Sequence, residues 1–202
     1  MLTLARAVGP SSFSVKALPL QRAGAVNLAI HGSFAAPKLQ ELVVARGSTL
    51  ELLRPDDTTG KLQSIVVAQT FSAIRSMKPF RLHGASRDYV VVGSDSGKLT
   101  ILGIDAAKAR FEVVKSETFG KTGCRRVVPG QHLAVDPKGR AIMCAAVEKQ
   151  KLVYIMNRDA SNRLTVSSPL EAHRSGTVLF SCVGVDVHFD NPVFACLELE
   201  YT

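Results

Sequence analysis

Short apolar segments recur along this chain at intervals of about fifty residues, a spacing typical of propeller blades or helical repeats. The segments are Leu42–Ala45, Tyr89–Val92, Ala141–Cys144 and Phe194–Leu197. Each is short, continuous and rich in β-branched, aromatic or small apolar residues, as strands buried on both faces are. The pattern therefore predicts one buried strand in each of four repeated units.

The residues that follow each buried segment repeat as well. A polar turn such as Ser94–Gly97 leads to a second apolar strand such as Leu99–Leu102. Another polar turn then leads to a third strand such as Arg110–Val113, where alternating polar and apolar residues indicate one face in water. Equivalent strands are expected at Leu50–Leu53, Lys61–Gln63, Leu152–Ile155 and Arg163–Val166.

A further strand is expected before each buried segment, for example at Phe80–Leu82, His132–Val135 and Val183–Val187. Asp136–Gly139 predicts a tight turn after the second of these, because proline pre-sets the backbone angle. Four antiparallel strands, of which the middle ones are buried and the outer one is more exposed to solvent, form a propeller blade. We therefore expect an all-β, WD40-like fold: a partial β-propeller of about four four-stranded antiparallel blades.

The repeats also suggest domain limits. We expect residues 14–202 to form an incomplete N-terminal β-propeller, with the fourth unit stopping in mid-blade, and residues 1–13 to be a disordered or spurious extension. An incomplete propeller leaves a strand edge with unpaired N–H and C=O groups. The chain alone is therefore expected to be poorly soluble or to pair edge to edge.

The composition is that of a globular protein, with 46% hydrophobic and 21% charged residues among 202. The net charge of +8 suits nucleic acid, acidic proteins or a ribonucleoprotein setting. The basic residues are scattered without a polybasic tail, so we expect contact with nucleic acid to be at most indirect. Because no apolar run reaches the ~20 residues that cross a bilayer, we expect no membrane span.

The histidine, serine, cysteine and glycine residues do not form a recognisable catalytic, metal or phosphate-binding motif. No two of the five histidines lie three to five residues apart, and there is no phosphate-binding glycine loop. Asp95–Gly97 contains a serine, but its residues are ordinary turn formers and the nucleophile-elbow pattern is not met. We therefore expect no catalytic, metal or cofactor-binding residues and no small-molecule substrate. The cysteines lack the C-x-x-C spacing of a zinc site and suit a reducing compartment: Cys124, Cys144, Cys182 and Cys196.

Several stretches resemble a known protein family. They are His31–Phe34, Leu50–Asp56, Tyr89–Lys98, Glu117–Lys121, Gly123–Gln131, Leu133–Ala141 and Glu148–Tyr154. With them, the chain from about Ser14 onward resembles the N-terminal part of the third-subunit family of splicing factor 3b, the three-propeller scaffold of the U2 small nuclear ribonucleoprotein. The large damaged-DNA-binding protein and the large cleavage-and-polyadenylation subunit are related, but Val92–Gly97 together with Gly123–Arg126 favours the splicing family.

The resemblance implies a non-catalytic scaffold fragment, nuclear, acting in pre-mRNA splicing and branch-site recognition through protein–protein contacts in the spliceosome. In that family the first propeller contacts the helical-repeat subunit and small subunits of splicing factor 3b. The alternative is an adaptor propeller of the DNA-damage or mRNA 3′-end-processing type. A propeller enzyme of the lactonase kind would need acids and metal-binding side chains converging on a central channel, and no such polar cluster stands on the predicted first strands.

The resemblance also implies a contact surface in two segments, 117–131 and 157–180. The first is polar and long for a propeller connection, and Arg125 and Arg126 can form bidentate pairs with carboxylates of a partner. Binding residues tend to lie on such connections between rigid elements. The residues expected at the interface are Glu117, Thr118, Phe119, Lys121, Cys124, Arg125, Arg126, Pro129, Gln131, Asn157, Arg158, Arg163, Ser168, Glu171 and His173.

Overall fold

The computed structural model describes residues 24–70, 72–120, 128–185, 188 and 190–201, together with the backbone of two strands at 2–7 and 13–18. Within these ranges every regular element is a β-strand. No helix in the described part of the chain is long and apolar enough to cross a membrane.

The strands follow one another with short connections. In chain order they are β1 (Leu2–Ala7), β2 (Phe13–Leu18), β3 (Leu28–Gly32), β4 (Glu41–Arg46), β5 (Thr49–Pro55), β6 (Leu62–Gln69), β7 (Ile74–Phe80), β8 (Tyr89–Ser94), β9 (Lys98–Asp105), β10 (Arg110–Thr118), β11 (His132–Val135), β12 (Ala141–Ala145), β13 (Lys151–Arg158), β14 (Leu164–Val166), β15 (Leu170–Glu171), β16 (Thr177–Val185) and β17 (Val193–Glu200).

Three of the sheets are antiparallel meanders, named here blades 1, 2 and 3. Blade 1 is β3–β4–β5–β6, blade 2 is β7–β8–β9–β10, and blade 3 is β11–β12–β13–β14 with β15 also paired to β13. Strand β16 pairs with β17 as a fourth unit, and β1 pairs with β2. The predicted partial β-propeller is confirmed, with three four-stranded blades and a two-stranded fourth unit among the described residues. The division of the chain at residue 13 stays a prediction.

The continuous apolar segments arise because blades cover one another on both faces. Val90 and Val92 pack in the hydrophobic cluster between blades 1 and 2, whereas Val91 packs in the cluster between blades 2 and 3. Side chains alternate across a strand, so a strand covered on both faces needs apolar residues at every position. Burying each of these side chains stabilises the stack by about 1.5–3 kcal/mol.

Two strand predictions need correction. A strand forms at Phe194–Leu197, but it is not buried: Leu197 is 66% exposed, since no further sheet of the described chain packs over the outer face of β17. The strand expected at Phe80–Leu82 is instead Ile74–Phe80. It ends there because Arg81 turns into the following connection to pair with Asp88.

Antiparallel meanders place their connections at two opposite ends of the stack, and we name these ends. The upper face carries the hairpins β4–β5, β8–β9 and β12–β13, together with the connections from one blade to the next. The lower face carries the connection between the first and second strands of each blade and the hairpins β5–β6, β9–β10 and β13–β14. Loops at either face are held in fixed positions by the strands between them.

Candidate protein-interaction surfaces

The two segments expected to contact partners lie at opposite faces of the stack. The connection after β10 is on the upper face, whereas the β13–β14 hairpin is on the lower face. Strand β13 runs from Lys151 at the upper face to Arg158 at the lower face. At roughly 3.3 Å per residue this separates the two faces by about 23 Å. The predicted residues therefore form two separate surfaces.

On the upper face, the first predicted segment begins inside a strand. Glu117 and Thr118 are the last residues of β10, in register with Leu99 and Lys98 of β9. The Glu117 carboxylate lies 3.3 Å from the ammonium of Lys115. The backbone of these two residues is thus fixed by strand pairing. The connection between β10 and β11 starts at Phe119.

Phe119 and Pro129 are buried. The Phe119 carbonyl accepts a hydrogen bond from Nε2 of Gln150 at 2.8 Å, and its N–H donates to the Gly97 carbonyl at 2.8 Å. These contacts hold the start of the connection against the β8–β9 and β12–β13 hairpins. Phe119 and Pro129 therefore support the connection, and Gln131 at its far end is exposed. Four predicted interface residues lie outside the described residues and stay predictions: Lys121, Cys124, Arg125 and Arg126.

Two further predicted residues join the upper face. Glu171 lies in β15, which pairs with the upper half of β13, and His173 follows it; both are exposed. The His173 Nδ1 and Glu171 Oε2 atoms are 4.0 Å apart. Ser168 is also exposed and lies between the two faces, just after β14. The upper surface of the described chain is thus formed by Glu117, Thr118, Gln131, Glu171 and His173.

On the lower face, the predicted residues divide into one that holds the fold and two that face solvent. Arg158 donates to the His83 carbonyl through Nη2 at 2.8 Å and through Nε at 3.2 Å, which links blade 3 to blade 2. Asn157 and Arg163 are exposed. Arg163 Nε lies 3.2 Å from the Asp159 carboxylate, whose pKa is lowered chiefly by the hydrogen bond from the Arg163 N–H. Asn157 and Arg163 are therefore the side chains offered to a partner.

A buried carboxylate lies in the lower connection of each of blades 1 to 3, a feature that the sequence pattern did not predict. Glu41, Asp88 and Asp136 all precede or begin the second strand and are almost fully buried. Each accepts hydrogen bonds from an arginine of its own blade: Arg54, Arg81 and Arg140, respectively. In the sequence, the acidic residue shortly before each buried segment could have indicated these buried carboxylates.

These carboxylate–arginine pairs also connect neighbouring units. Asp88 accepts a hydrogen bond from the Ser33 N–H of blade 1 at 2.7 Å. In blade 3, Nη1 of Arg140 donates to the Asp190 carbonyl of the fourth unit at 2.6 Å. With the bond from Arg158 to His83, every junction between consecutive units has a polar link at the lower face. The blades are thus held in fixed relative positions.

The pKa of Asp136 reflects its environment. Burial alone would raise the pKa, but hydrogen bonds from the Arg140 side chain and N–H, with the charge of that guanidinium, lower it below the ordinary value. The carboxylate is therefore ionised at neutral pH and fully paired. The role of Asp136 is therefore structural, since its side chain is inaccessible to solvent.

No arrangement for metal binding is present in the described part of the chain, where no three histidine, cysteine, aspartate or glutamate side chains come together. Burial raises the pKa of the Cys144 thiol, and it raises that of Cys182 to about 11. Thiols of this kind are protonated at neutral pH and are poor nucleophiles. Cys144 and Cys182 therefore behave as small apolar residues.

Stacked antiparallel blades joined by polar links at each junction define a partial β-propeller. The chain belongs to the RSE1/DDB1/CPSF1 first beta-propeller family, which matches residues 25–202. It is 59% identical over 184 residues to "Splicing factor 3B subunit 3" of Danio rerio, covering 91% of this chain and 15% of that protein.

Other relatives have similar names and similar coverage. Identity is 57% over 184 residues to "Splicing factor 3B subunit 3" of Drosophila melanogaster, covering 91% of this chain and 15% of that protein. It is 58% over 185 residues to "Spliceosome-associated protein 130 A" of Arabidopsis thaliana, covering 92% of this chain and 15% of that protein. The chain thus spans about 15% of the length of these relatives. Their names agree with the splicing family and do not favour an adaptor of the DNA-damage or 3′-end-processing type.

Proposed function

We propose that this chain acts in pre-mRNA splicing as a nuclear, non-catalytic scaffold segment that binds the helical-repeat and small subunits of splicing factor 3b. The observation that supports this most directly is the identity of 57–59% to proteins named splicing factor 3B subunit 3, over 91% of the chain. At this identity over nearly the whole chain, the blade surfaces are expected to be largely shared with those relatives.

The scaffold role requires no chemical step. Function comes from holding two sets of side chains at a fixed separation, so that two partners are bound in a defined geometry. The upper set includes Gln131 and Glu171, and the lower set includes Asn157 and Arg163. Rigid display of this kind lowers the entropic cost of binding, because the loops do not have to be ordered when a partner arrives.

The test is co-expression of the tagged chain with the helical-repeat and small subunits of splicing factor 3b, followed by affinity purification. Wild-type chain is expected to retain at least two of these subunits, one bound at each face. The upper variant Gln131→Ala/Glu171→Lys and the lower variant Asn157→Ala/Arg163→Glu should each reduce recovery of a different subunit by at least fivefold. Each variant should leave the subunit bound at the other face unaffected.

A matched control is Lys61→Glu, which reverses an exposed charge on the equivalent lower hairpin of blade 1. This variant should bind as the wild type does. Arg158 is left unchanged because its loss would disturb the junction of blades 2 and 3. Folded wild-type chain that retains none of the subunits would contradict the proposed function.

A further inference from the structure

A cleft of about 400 Å³ lies between the outer parts of blades 1 and 2, towards the upper face. Its volume is within the range of ligand-binding pockets in proteins. One wall comes from blade 1 and includes Leu50 and Ala68, which are register partners on β5 and β6. The other wall comes from blade 2, from β8 and the β8–β9 hairpin as well as from the outer strands β9 and β10. The cleft adjoins the upper surface at Thr118, which pairs with the lining residue Lys98.

The blade 2 wall changes in character from the mouth of the cleft to its floor. Three cross-strand pairs of β9 and β10 follow one another: Lys98 with Thr118, Thr100 with Ser116, and Leu102 with Val113. Along β9, successive pairs are two residues apart and therefore about 6.6 Å apart. The wall thus passes from a charged mouth through a row of hydroxyls to an apolar floor that faces Leu50 and Ala68 of blade 1.

The charge in the cleft has a single sign. Lys98 is the only charged side chain among the described lining residues, and its ammonium has no ion-pair partner in the described chain. The hydroxyls of Thr100 and Ser116 likewise have no hydrogen-bond partner among the described residues. A cationic group and two free hydroxyl donors favour a carboxylate, and no acidic side chain of the described lining competes for them.

The floor offers apolar surface for a second group. Val113 is 60% exposed even though its register partner Leu102 is buried. A bulge in β10 between Val113 and Lys115 places Val113 at this point of the outer strand. An apolar side chain that covered Val113 would remove this surface from water, which is favourable by about 25 cal/mol per Å².

We propose that this cleft binds an extended segment of a partner protein that carries an apolar side chain and, two residues away, a carboxylate. Alternate residues of an extended chain lie on the same side and about 6.6 Å apart. That spacing equals the spacing from the apolar floor at Leu102 to the hydroxyl row at Thr100. The apolar side chain packs between Ala68 and Val113, and the carboxylate accepts hydrogen bonds from Lys98 and the hydroxyls. The inference rests on the cleft alone and does not depend on the proposed splicing role.

The test uses a biotinylated seven-residue probe of glycine and serine with photoleucine at its third position and aspartate at its fifth. Photoleucine inserts into neighbouring groups when irradiated, so a weak complex is recorded covalently and located by mass spectrometry. The full chain, produced as a fusion with a soluble carrier, is labelled with this probe and with a probe carrying asparagine in place of aspartate. We expect labelling at Ala68, Leu102 or Val113, at least fivefold weaker with the asparagine probe.

Protein variants identify the side chains that contribute to binding of the probe. Lys98→Gln should reduce labelling at least fivefold, and Val113→Asp should reduce it further, since it adds a negative charge to the apolar floor. Lys61→Gln, an exposed lysine at the opposite face, should leave labelling unchanged. Absence of labelling in the cleft, or equal labelling with the asparagine probe and in Lys98→Gln, would overturn the proposal.

Discussion

Close backbone contacts between blades predict a large difference between two glycine-to-alanine substitutions. Gly139 and Gly60 both lie in lower-face turns with positive φ angles of 73° and 66°. A side-chain methyl at Gly139 would lie 1.8 Å from the Arg81 carbonyl oxygen of blade 2, whereas a methyl at Gly60 would meet nothing within 4 Å. Gly60→Ala is therefore a control that reproduces the backbone strain without the clash between blades.

The magnitudes follow from these contacts. The left-handed conformation costs alanine about 1–2 kcal/mol, partly offset by about 0.4–1 kcal/mol from the stiffer unfolded chain, so Gly60→Ala should destabilise by about 1 kcal/mol. Gly139→Ala must also displace the backbone of blade 2 at Arg81, which costs about 1–3 kcal/mol as overpacking. It weakens the hydrogen bond from the His83 N–H to the Gly139 carbonyl, worth about 1 kcal/mol. The total for Gly139→Ala is about 3–5 kcal/mol.

The assay is urea unfolding of both variants and the wild type, followed by circular dichroism. The free energy of unfolding should be lower in Gly139→Ala than in Gly60→Ala by about 2–4 kcal/mol. In thermal unfolding the difference in Tm should be at least about 4 °C for a chain of this length. Equal losses in the two variants would refute the close packing of blades 2 and 3 at this turn.

Three further predictions concern other parts of the stack. Asp136→Asn should destabilise the chain at pH 7 by about 2 kcal/mol in urea unfolding, because the buried carboxylate accepts charged hydrogen bonds from Arg140. The pKa of Asp136 is lowered on folding, so this contribution is present above the unfolded value of ~3.9 and is lost as the pH falls through the folded value; an unchanged difference at pH 2 would contradict it. Ile142→Ala removes a fully buried side chain between blades 2 and 3 and should cost about 2–5 kcal/mol by the same assay, and a loss below 1 kcal/mol would refute that packing. Leu197→Lys/Leu199→Lys should reduce self-association in light scattering without loss of stability, since both side chains are more than half exposed on β17; unchanged association would show that another surface is responsible.

Local patterns predicted the blades because each pattern has a direct physical cause. A run such as Val90–Val92 must be apolar throughout when both faces of its strand are covered, and this requirement is visible in the sequence. The polar turns are equally readable because tight hairpins favour glycine and small polar residues. The order of the four meander strands in each of blades 1 to 3 could therefore be predicted from residue spacing, although β7 was misplaced and β15 was not predicted.

Features that depend on neighbouring blades could not be predicted in this way. The composition of β17 is that of a buried strand, yet Leu197 is exposed because burial depends on what lies against the sheet. Phe119 and Arg158 look like exposed loop or hairpin residues in the sequence, but the core covers Phe119 and His83 binds Arg158. The separation of the interface residues into two faces likewise follows from strand direction, which becomes visible only once the blades are assembled.

The cleft between blades 1 and 2 illustrates the same limit. Lys98, Thr100 and Leu102 alternate along β9 and share one face, which the sequence suggests. Their pairing with Thr118, Ser116 and Val113 depends on a register shift in β10 that no local pattern reveals. The gradient from charge to apolar surface is therefore a property of the paired strands.

The most direct test of the scaffold account is affinity purification of the tagged chain from nuclei of cells that synthesise it, with co-purifying proteins identified by mass spectrometry. The account predicts recovery of splicing factor 3b subunits with the wild type and with Gly60→Ala, and much lower recovery with Gly139→Ala, whose blades 2 and 3 are forced apart. Recovery of chaperones alone, or equal recovery with all three proteins, would contradict the claim that rigidly stacked blades present the contact surfaces.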